Sequence, residues 1–454
     1  MNNINYRQDQ LPIMSYEGGT MAVPAVPGAG KTFIVTNLVA KLLREGKHDN
    51  SKILILTYMN SAVNNFKGRI KQLLIDNDIK EENSYEVMTI HSLAVKIIKE
   101  KPEVVMLNEE FSIADDLQKN IILNECIQNY RMNGGEKIFQ WFLKDQKDNE
   151  WRERMVDAWE NGFYDLVGNS IGELKYKEIS PRDLEEVVDS SYNGVLRIIL
   201  PIYTEYEKKL KYNGLLDYDD ILILAYKALT LDENLRNKFQ KRYKFIFEDE
   251  CQDSNEIQGK IIKLICGENN NLVRVGDINQ SITGTFSSSD PKYFKEFIKD
   301  ADYCYRMYMS NRSSKDILDL ANRLVKYVTN EFNQKECREA LEDMEIKTVP
   351  CGMGENPKPD IYSINTKRYR TWNDEIEKTV AYAKAIKNKY PDKSIGILVP
   401  FNEQITQVAK KLLEHNMEFE ELGPNSLNKR KVLNNIAYII DFILNCDDIE
   451  YNFR

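Results

Sequence analysis

The chain has no long apolar run, no paired cysteines and no surplus of basic residues, and each lack removes a class of function. None of its apolar stretches is long enough to span a bilayer. Its first ten residues, MNNINYRQDQ, are polar and lack the apolar core of a secretion signal, so a cytoplasmic protein without membrane contact is expected. The 7 cysteines are scattered, with no CxxC pair, and suggest neither a disulfide framework, nor a zinc site, nor the four thiolates of an iron–sulfur cluster. Net charge is −9, so the surface as a whole does not attract polyanions, and any nucleic-acid contact has to come from a local cleft of Lys and Arg. With 42% hydrophobic and 29% charged residues the composition is that of an ordinary globular chain, and 454 residues leave room for about three domains, each with its own core.

What is present is organised around one stretch, TMAVPAVPGAGKTFIVTNLVAKLL, residues 20 to 43. The apolar run Met21, Ala22, Val23 leads into a turn rich in Pro and Gly. Lys31 and Thr32 then open a helix whose Ile34, Val35, Leu38, Val39, Leu42 and Leu43 recur at helical spacing, and Gly46 is placed to stop it. Strand, glycine turn, Lys-Thr and helix make a phosphate-binding loop. Backbone N–H groups of the turn and of the helix N-terminus face an anion, which makes Pro27, Gly28, Ala29, Gly30, Lys31 and Thr32 candidates for a nucleotide. Lys31 is expected to reach the β- and γ-phosphates, and the Thr32 hydroxyl to ligate Mg²⁺. Ala25 stands where the strict GxxxxGK[ST] pattern has its first glycine.

Beyond the loop, strands and helices alternate. The run from Ile53 to Leu56 reads as a strand buried on both faces, followed by a helix carrying Ala62, Val63, Phe66, Ile70, Leu73 and Leu74 on one face, and VMTIHSLAVKII (87 to 98) repeats the pattern. Residues 101 to 212 are mostly helical in pattern and read as an insertion, after which strands return at KFIFEDECQDSN and NLVRVGDINQSI. From about residue 301, PDIYSI (359 to 364) and SIGILVPF (394 to 401) suggest a second α/β domain. Such alternation implies doubly wound sheets with ligands at the C-terminal edge of the strands.

Chemistry concentrates at strand ends. Asp249 closes an apolar strand where a phosphate-loop enzyme keeps its second Mg²⁺ carboxylate, and Glu250 beside it can polarise an attacking water. Glu248, Asp249, Glu250 and Asp253 form an acidic cluster that repels itself, which makes more sense beside a cation. Gln280 ends a further strand and can bond a γ-phosphate or its water. Arg312, in MSNRSS, can bring positive charge to the same phosphate.

Taken in order, Gln10, AVPGAGKT, LTYMNSA, TIHSL, LLDYDDIL, EDECQDSN, VGDINQSI and NRSS resemble the motif series of the UvrD/Rep/PcrA group of superfamily 1 DNA helicases. The resemblance runs from Gln10 to about residue 435. It implies that Gln10 reads the adenine edge, that Gln280 links nucleotide state to DNA grip, that Arg312 is the γ-phosphate arginine of a second core domain, and that Tyr58, Asn60 and His91 touch single-stranded DNA. Stacking of bases on an aromatic ring tolerates any sequence, which suits Tyr58 to that place.

There are departures from the family pattern. Ser310-Asn311-Arg312-Ser313 lacks the tyrosine that stacks on adenine in the family, and Phe33, where an arginine is common, can substitute as a ring. After GDINQSI the base-stacking aromatic is displaced to Phe286. With only 3 histidines, at 48, 91 and 415, the later His-x-x-Lys-Gly-Leu-Glu segment is absent, as is the arginine-bearing Thr-Arg-Ala segment, while KVLNNIAYIIDFIL (431 to 444) resembles the start of the insertion that precedes them.

The expected fold is therefore α/β, two RecA-like P-loop NTPase domains with parallel sheets, the first carrying a mostly helical insertion and the second incomplete. Residues 1–100 and 213–300 would form the first, 101–212 the insertion, 301–430 the second, and 431–454 the start of a further insertion. The expected function is an ATP-dependent 3′-to-5′ DNA helicase or translocase using ATP and Mg²⁺ on single-stranded DNA. The alternative is an ATP- and DNA-binding subunit or fragment with little turnover of its own, completed by a C-terminal half or by a partner in DNA repair or anti-phage defence.

Overall fold

Apolar runs that alternate their side chains between two faces become the strands of a six-stranded sheet in which every pair is parallel. The strands are β1 (Thr20–Pro24), β2 (Lys52–Thr57), β3 (Tyr85–Thr89), β4 (Tyr243–Asp249), β5 (Leu272–Gly276) and β6 (Tyr303–Cys304), in the order β3-β2-β4-β5-β1-β6. The period of two divides them: Ile53, Ile55, Phe245 and Phe247 enter one core, Leu54, Leu56 and Ile246 the other. Helices α1 (Lys31–Arg44) and α2 (Asn60–Asp76) cover the first face. Helices α3 (Ile90–Glu100), α8 (Tyr218–Leu231) and α9 (Glu256–Cys266) cover the second. The computed structural model describes residues 5–108, 110–135, 149–190, 194–281, 291–358, 364–422 and 436. They belong to two compact units, Met1–Ser363 and Ile364–Arg454. No helix among the described residues is long and apolar enough to cross a membrane.

Because all the strands run the same way, the residues that follow β1, β2, β3, β4 and β5 emerge at one edge of the sheet. That edge is where a doubly wound sheet binds its ligands.

Between β3 and β4 lies a helical segment with its own apolar core, including Ile122, Val167, Ile171, Leu184, Ile199, Ile202 and Tyr206. It is built from α4 (Asp116–Tyr130), α5 (Asn149–Tyr176), α6 (Pro181–Ser190) and α7 (Gly194–Tyr212). Its entry and exit run side by side, since Ser112–Ile113 pairs in parallel with Leu215–Leu216. A buried charge cluster pins it to α8. Lys175 Nζ lies 2.8 Å from Asp217 Oδ2, 2.8 Å from Asp220 Oδ1 and 2.7 Å from Glu207 Oε1, and the Tyr206 hydroxyl donates to Asp217.

One ammonium cannot balance three carboxylates when it and Asp217 are out of water. Burial, with Asp217 and Glu207 nearby, pushes the Asp220 carboxyl up to about 7 against the pull of Lys175. Burial also works against an ionised Asp217, but Lys175 holds it at about 2. Removing the lysine would leave the carboxylates uncompensated, a change that typically costs about 3–5 kcal/mol. Lys175→Met is therefore expected to lower the unfolding free energy by about that much, read from the denaturant midpoint. An unchanged midpoint would mean that the cluster does not hold the insertion in place.

After β6 the chain continues along the sheet edge. Tyr305 and Met307 donate their N–H groups to the carbonyls of Ala22 and Pro24. A short parallel pair follows, β7 (Met309–Ser310) with β8 (Lys347–Thr348), and between them stands α10 (Lys315–Lys326). Residues from 301 to 363 thus fall in the same compact unit as the large sheet, which gains its sixth strand from them.

In the second unit, α11 (Trp372–Lys389) and α12 (Asn402–Glu414) pack through Ile376, Val380, Val408 and Leu412. Residues 394–401, expected as a strand, are irregular, and Leu398 is 97% exposed. A strand needs a neighbour for its N–H and C=O groups, and no described strand pairs with this segment. The expected strand at 359–364 and the insertion expected at 431–454 lie outside the described residues, apart from positions 364 and 436.

Candidate active site

The turn after β1 is held at both ends. Ala25 donates to the Gly276 carbonyl at 2.9 Å and Val26 to that of Met307 at 2.9 Å. Ala25 bridges Met307 in extended conformation and has no positive φ, so the position needs no glycine. Gly28 (φ 74°) and Gly30 (φ 86°) do need it, since both adopt the left-handed region that L side chains resist. Gly30 then caps α1, which opens at Lys31. Pro27, Ala29, Thr32 and Phe33 belong to the same turn and first helical turn.

The 310–313 turn lies directly on this loop. A Cβ at Gly28 would stand 2.5 Å from Ser310 Oγ and 2.6 Å from Arg312 Cβ. Asn356 braces the turn, donating to the carbonyls of Ser310 at 2.7 Å and Ser313 at 2.8 Å. Arg312 thus has its stem against the glycine turn and its side chain exposed.

The N-terminal segment closes the loop from another side. Gln10 Nε2 donates to the Ala29 carbonyl at 3.3 Å, and Gln10 Oε1 accepts from the Arg7 N–H at 3.2 Å. The Arg7 guanidinium bonds the Ala29 carbonyl and pairs with Asp9, whose other oxygen accepts from the Met309 N–H at 2.9 Å. The Tyr6 and Phe33 rings lie 6.1 Å apart, tilted by 48°. Arg7, Asp9, Tyr6 and Asn356 carried no recognisable spacing in the sequence, and only the folded chain brings them here.

At the end of β4, Lys31 Nζ meets Glu250 Oε2 at 2.5 Å. Glu250 has φ 55°, an uncommon conformation for a residue with a side chain. Asp249 is buried, with Oδ1 lacking any hydrogen-bond partner. Burial and the neighbouring Glu250 push its carboxyl up to about 7, with Lys31 opposing. Asp277, after β5, is buried too, its Oδ2 unpartnered and its carboxyl raised to about 6 chiefly by burial. A buried carboxylate oxygen without a partner is costly unless a cation completes it, so Asp249 fits a divalent metal. Glu248 leaves the acidic cluster: it pairs with Arg274 at 2.7 Å. Gln280 lies at the same sheet edge, joined to Asp277 through its backbone N–H, with an exposed side chain.

Tyr58, 41% exposed, and Asn60 follow β2, and His91 follows β3. The His91 ring lies 4.7 Å from that of Tyr218, and burial lowers the His91 pKa. Tyr218 is 54% exposed at the start of α8, the helix pinned by Lys175. It lies inside the LLDYDDIL motif, yet nothing in the sequence singled it out. Phe286 lies outside the described residues.

Residues 6–302 match the family model of the UvrD/REP helicase N-terminal domain, and residues 306–452 that of the UvrD-like helicase C-terminal domain. The chain is 24% identical over 453 residues to the ATP-dependent DNA helicase PcrA of Leuconostoc citreum, an alignment covering 98% of this chain and 53% of that protein. It is 23% identical over 451 residues to PcrA of Staphylococcus aureus strain Mu50, covering 99% and 54%. With a probable DNA helicase II homolog of Mycoplasma capricolum it shares 24% identity over 420 residues, covering 92% and 52%. The chain spans about half the length of the curated relatives it matches.

Proposed function

The chain belongs to the UvrD/REP helicase family, and on that premise we propose that it is a cytoplasmic ATP-dependent DNA helicase or translocase moving 3′ to 5′ along single-stranded DNA. The observation that carries the reading is the contact of Arg312 with Gly28, beside a loop whose lysine already meets Glu250, the acid just past β4. A phosphate loop, a buried carboxylate with one unpartnered oxygen and an arginine arriving from beyond the strand core are the parts that phosphoryl transfer requires.

In this reading residues 1–100 and 213–300 form the nucleotide-binding domain, 101–212 its insertion, 301–430 the second RecA-like domain, whose first residues lend the large sheet its edge strand, and 431–454 the start of a further insertion. The N–H groups from Gly28 to Phe33 receive the phosphates. Lys31 exchanges Glu250 for the β- and γ-phosphates, and Arg312 adds charge at the γ-phosphate. Gln10 reads the adenine edge, and Phe33 with Tyr6 offers the base a ring surface. Thr32 and Asp249 would hold Mg²⁺, which when bound neutralises charge on the phosphates. Glu250 takes a proton from the attacking water. Gln280 exchanges its amide hydrogen bond as the phosphate changes and passes that change to the DNA grip.

Single-stranded DNA would cross the strand ends over Tyr58, Asn60, His91 and Tyr218. Two exposed rings at one sheet edge suit unstacked bases, and the salt dependence would come from local cations. Turnover of Mg·ATP should therefore rise when single-stranded DNA is added. Single strands should bind ahead of duplex, and Tyr58→Ala or Tyr218→Ala should each weaken binding by about 1–3 kcal/mol per lost stacked base. If ATP and DNA both bind but turnover ignores the DNA, the chain is a binding subunit and not a motor. Equal affinity for duplex and single strands, untouched by either substitution, would remove the DNA site from this edge.

A further inference from the structure

The general-base candidate is gripped by a neighbour that no motif reading assigned. Gln252 is 2% exposed and stands in the turn Cys251–Asp253 just past Glu250. Its Nε2 donates to Glu250 Oε2 at 2.9 Å and to Asp253 Oδ2 at 3.3 Å, and its Oε1 accepts from the Asp277 N–H at 3.0 Å. The space it occupies is shaped for it. A Cβ at Gly276 would lie only 2.5 Å from Gln252 Oε1, so the glycine that ends β5 lets the amide come close to the strand.

The Asp277 N–H belongs to the turn that carries Gln280. Asp277 Oδ1 accepts from the Asn279 N–H at 3.0 Å, and the Asp277 carbonyl accepts from the Gln280 N–H at 3.0 Å. Asn279 in turn exchanges two bonds with the backbone of Glu342, at 2.9 and 2.8 Å. An unbroken hydrogen-bonded series therefore joins Lys31, Glu250, Gln252, Asp277, Asn279 and Glu342.

We propose that Gln252 is a positioning residue, holding the Glu250 carboxylate in its working orientation and tying it to the 277–280 turn. The inference rests on the reading of Glu250 as general base. Its physical content is the exchange at Lys31. In the structure Glu250 Oε2 has two donors, the Lys31 ammonium and the Gln252 amide. When Lys31 turns to a phosphate, the amide remains. A neutral donor orients the carboxylate without neutralising it, so its charge stays directed at the attacking water. Only a side chain that donates at one end and accepts at the other can serve both Glu250 and the Asp277 N–H. Glutamate of the same length would present acceptors to both, and methionine would serve neither.

The test is steady-state ATP hydrolysis by the full chain with saturating single-stranded DNA, for Gln252→Glu, Gln252→Met, Glu250→Gln and the Gln252→Met/Glu250→Gln double variant, each checked for folding by its melting temperature. A misaimed group costs about 10–10²-fold in rate, so both Gln252 variants should lose about that much kcat with KM for ATP within about twofold. The double variant should be no slower than Glu250→Gln alone, because Gln252 acts through Glu250. A normal kcat in folded Gln252→Glu and Gln252→Met would overturn the proposal, as would losses that multiply in the double variant. If Glu250→Gln itself turns over normally, the general-base reading fails first. If it is slow while both Gln252 variants are fast, the positioning role alone is wrong.

Discussion

Arg312→Ala is expected to slow ATP hydrolysis by about 10³–10⁵-fold, the usual worth of an arginine supplied to a phosphoryl-transfer transition state, while leaving ATP affinity nearly unchanged. The stem of Arg312 packs where a Cβ on Gly28 would stand, and the 310–313 turn is braced by Asn356 from outside the loop. Its guanidinium carries no ion pair to another described residue and is exposed, so it can turn toward a phosphate without breaking a bond. Charge that matters only as the γ-phosphate departs lowers the barrier without tightening ground-state binding. Arg312→Lys should recover little, since a point charge does not reproduce the planar fork. Single-turnover hydrolysis with saturating single-stranded DNA measures the effect. A rate within tenfold of the unchanged chain would show that the turn is packed on the loop for structural reasons alone.

Glu250→Gln should reduce turnover by about 10²–10⁴-fold, the contribution of a positioned general base. ATP affinity should hold or rise. Lys31 now spends its ammonium on Glu250 at 2.5 Å, and a neutral amide releases it for the phosphates. The left-handed backbone at Glu250 is unaltered by the substitution, so the fold is expected to survive. Binding of Mg·ATP measured beside the hydrolysis rate separates the two effects. Normal hydrolysis would assign the proton transfer elsewhere, and lost binding would make the ion pair with Lys31 a structural requirement of the loop.

How much of this was legible before folding differs residue by residue. The loop from Pro24 to Gly30 and the helix from Lys31 follow from local chemistry: glycines at left-handed positions, a short apolar run before them and a 3.6-residue period after. The apolar strands ending at Thr57, Thr89, Asp249 and Gly276 were readable for the same reason. Residues 394–401 have the same local signal and no strand, because pairing needs a neighbour that composition cannot guarantee. Lys175 was hidden among the charges of a helical segment, and nothing in its own sequence neighbourhood announces that Asp217 and Asp220 close over it.

Left to itself, the amino-acid order determines elements whose causes lie within a few residues: the glycine turn, the helix it opens, the doubly buried strands and the acids placed at their ends. Tertiary structure decided everything that depends on which strand lies beside which. Parallel pairing in the order β3-β2-β4-β5-β1-β6 gathers the strand ends on one edge. The run along β1 to Met309 carries Arg312 to Gly28, and the close approach at Gly276 admits Gln252. These are contacts between residues far apart in the chain, set by backbone hydrogen bonding and by the exclusion of a single Cβ. A linear pattern holds no record of either, because the free energy that selects them exists only once both partners are in place.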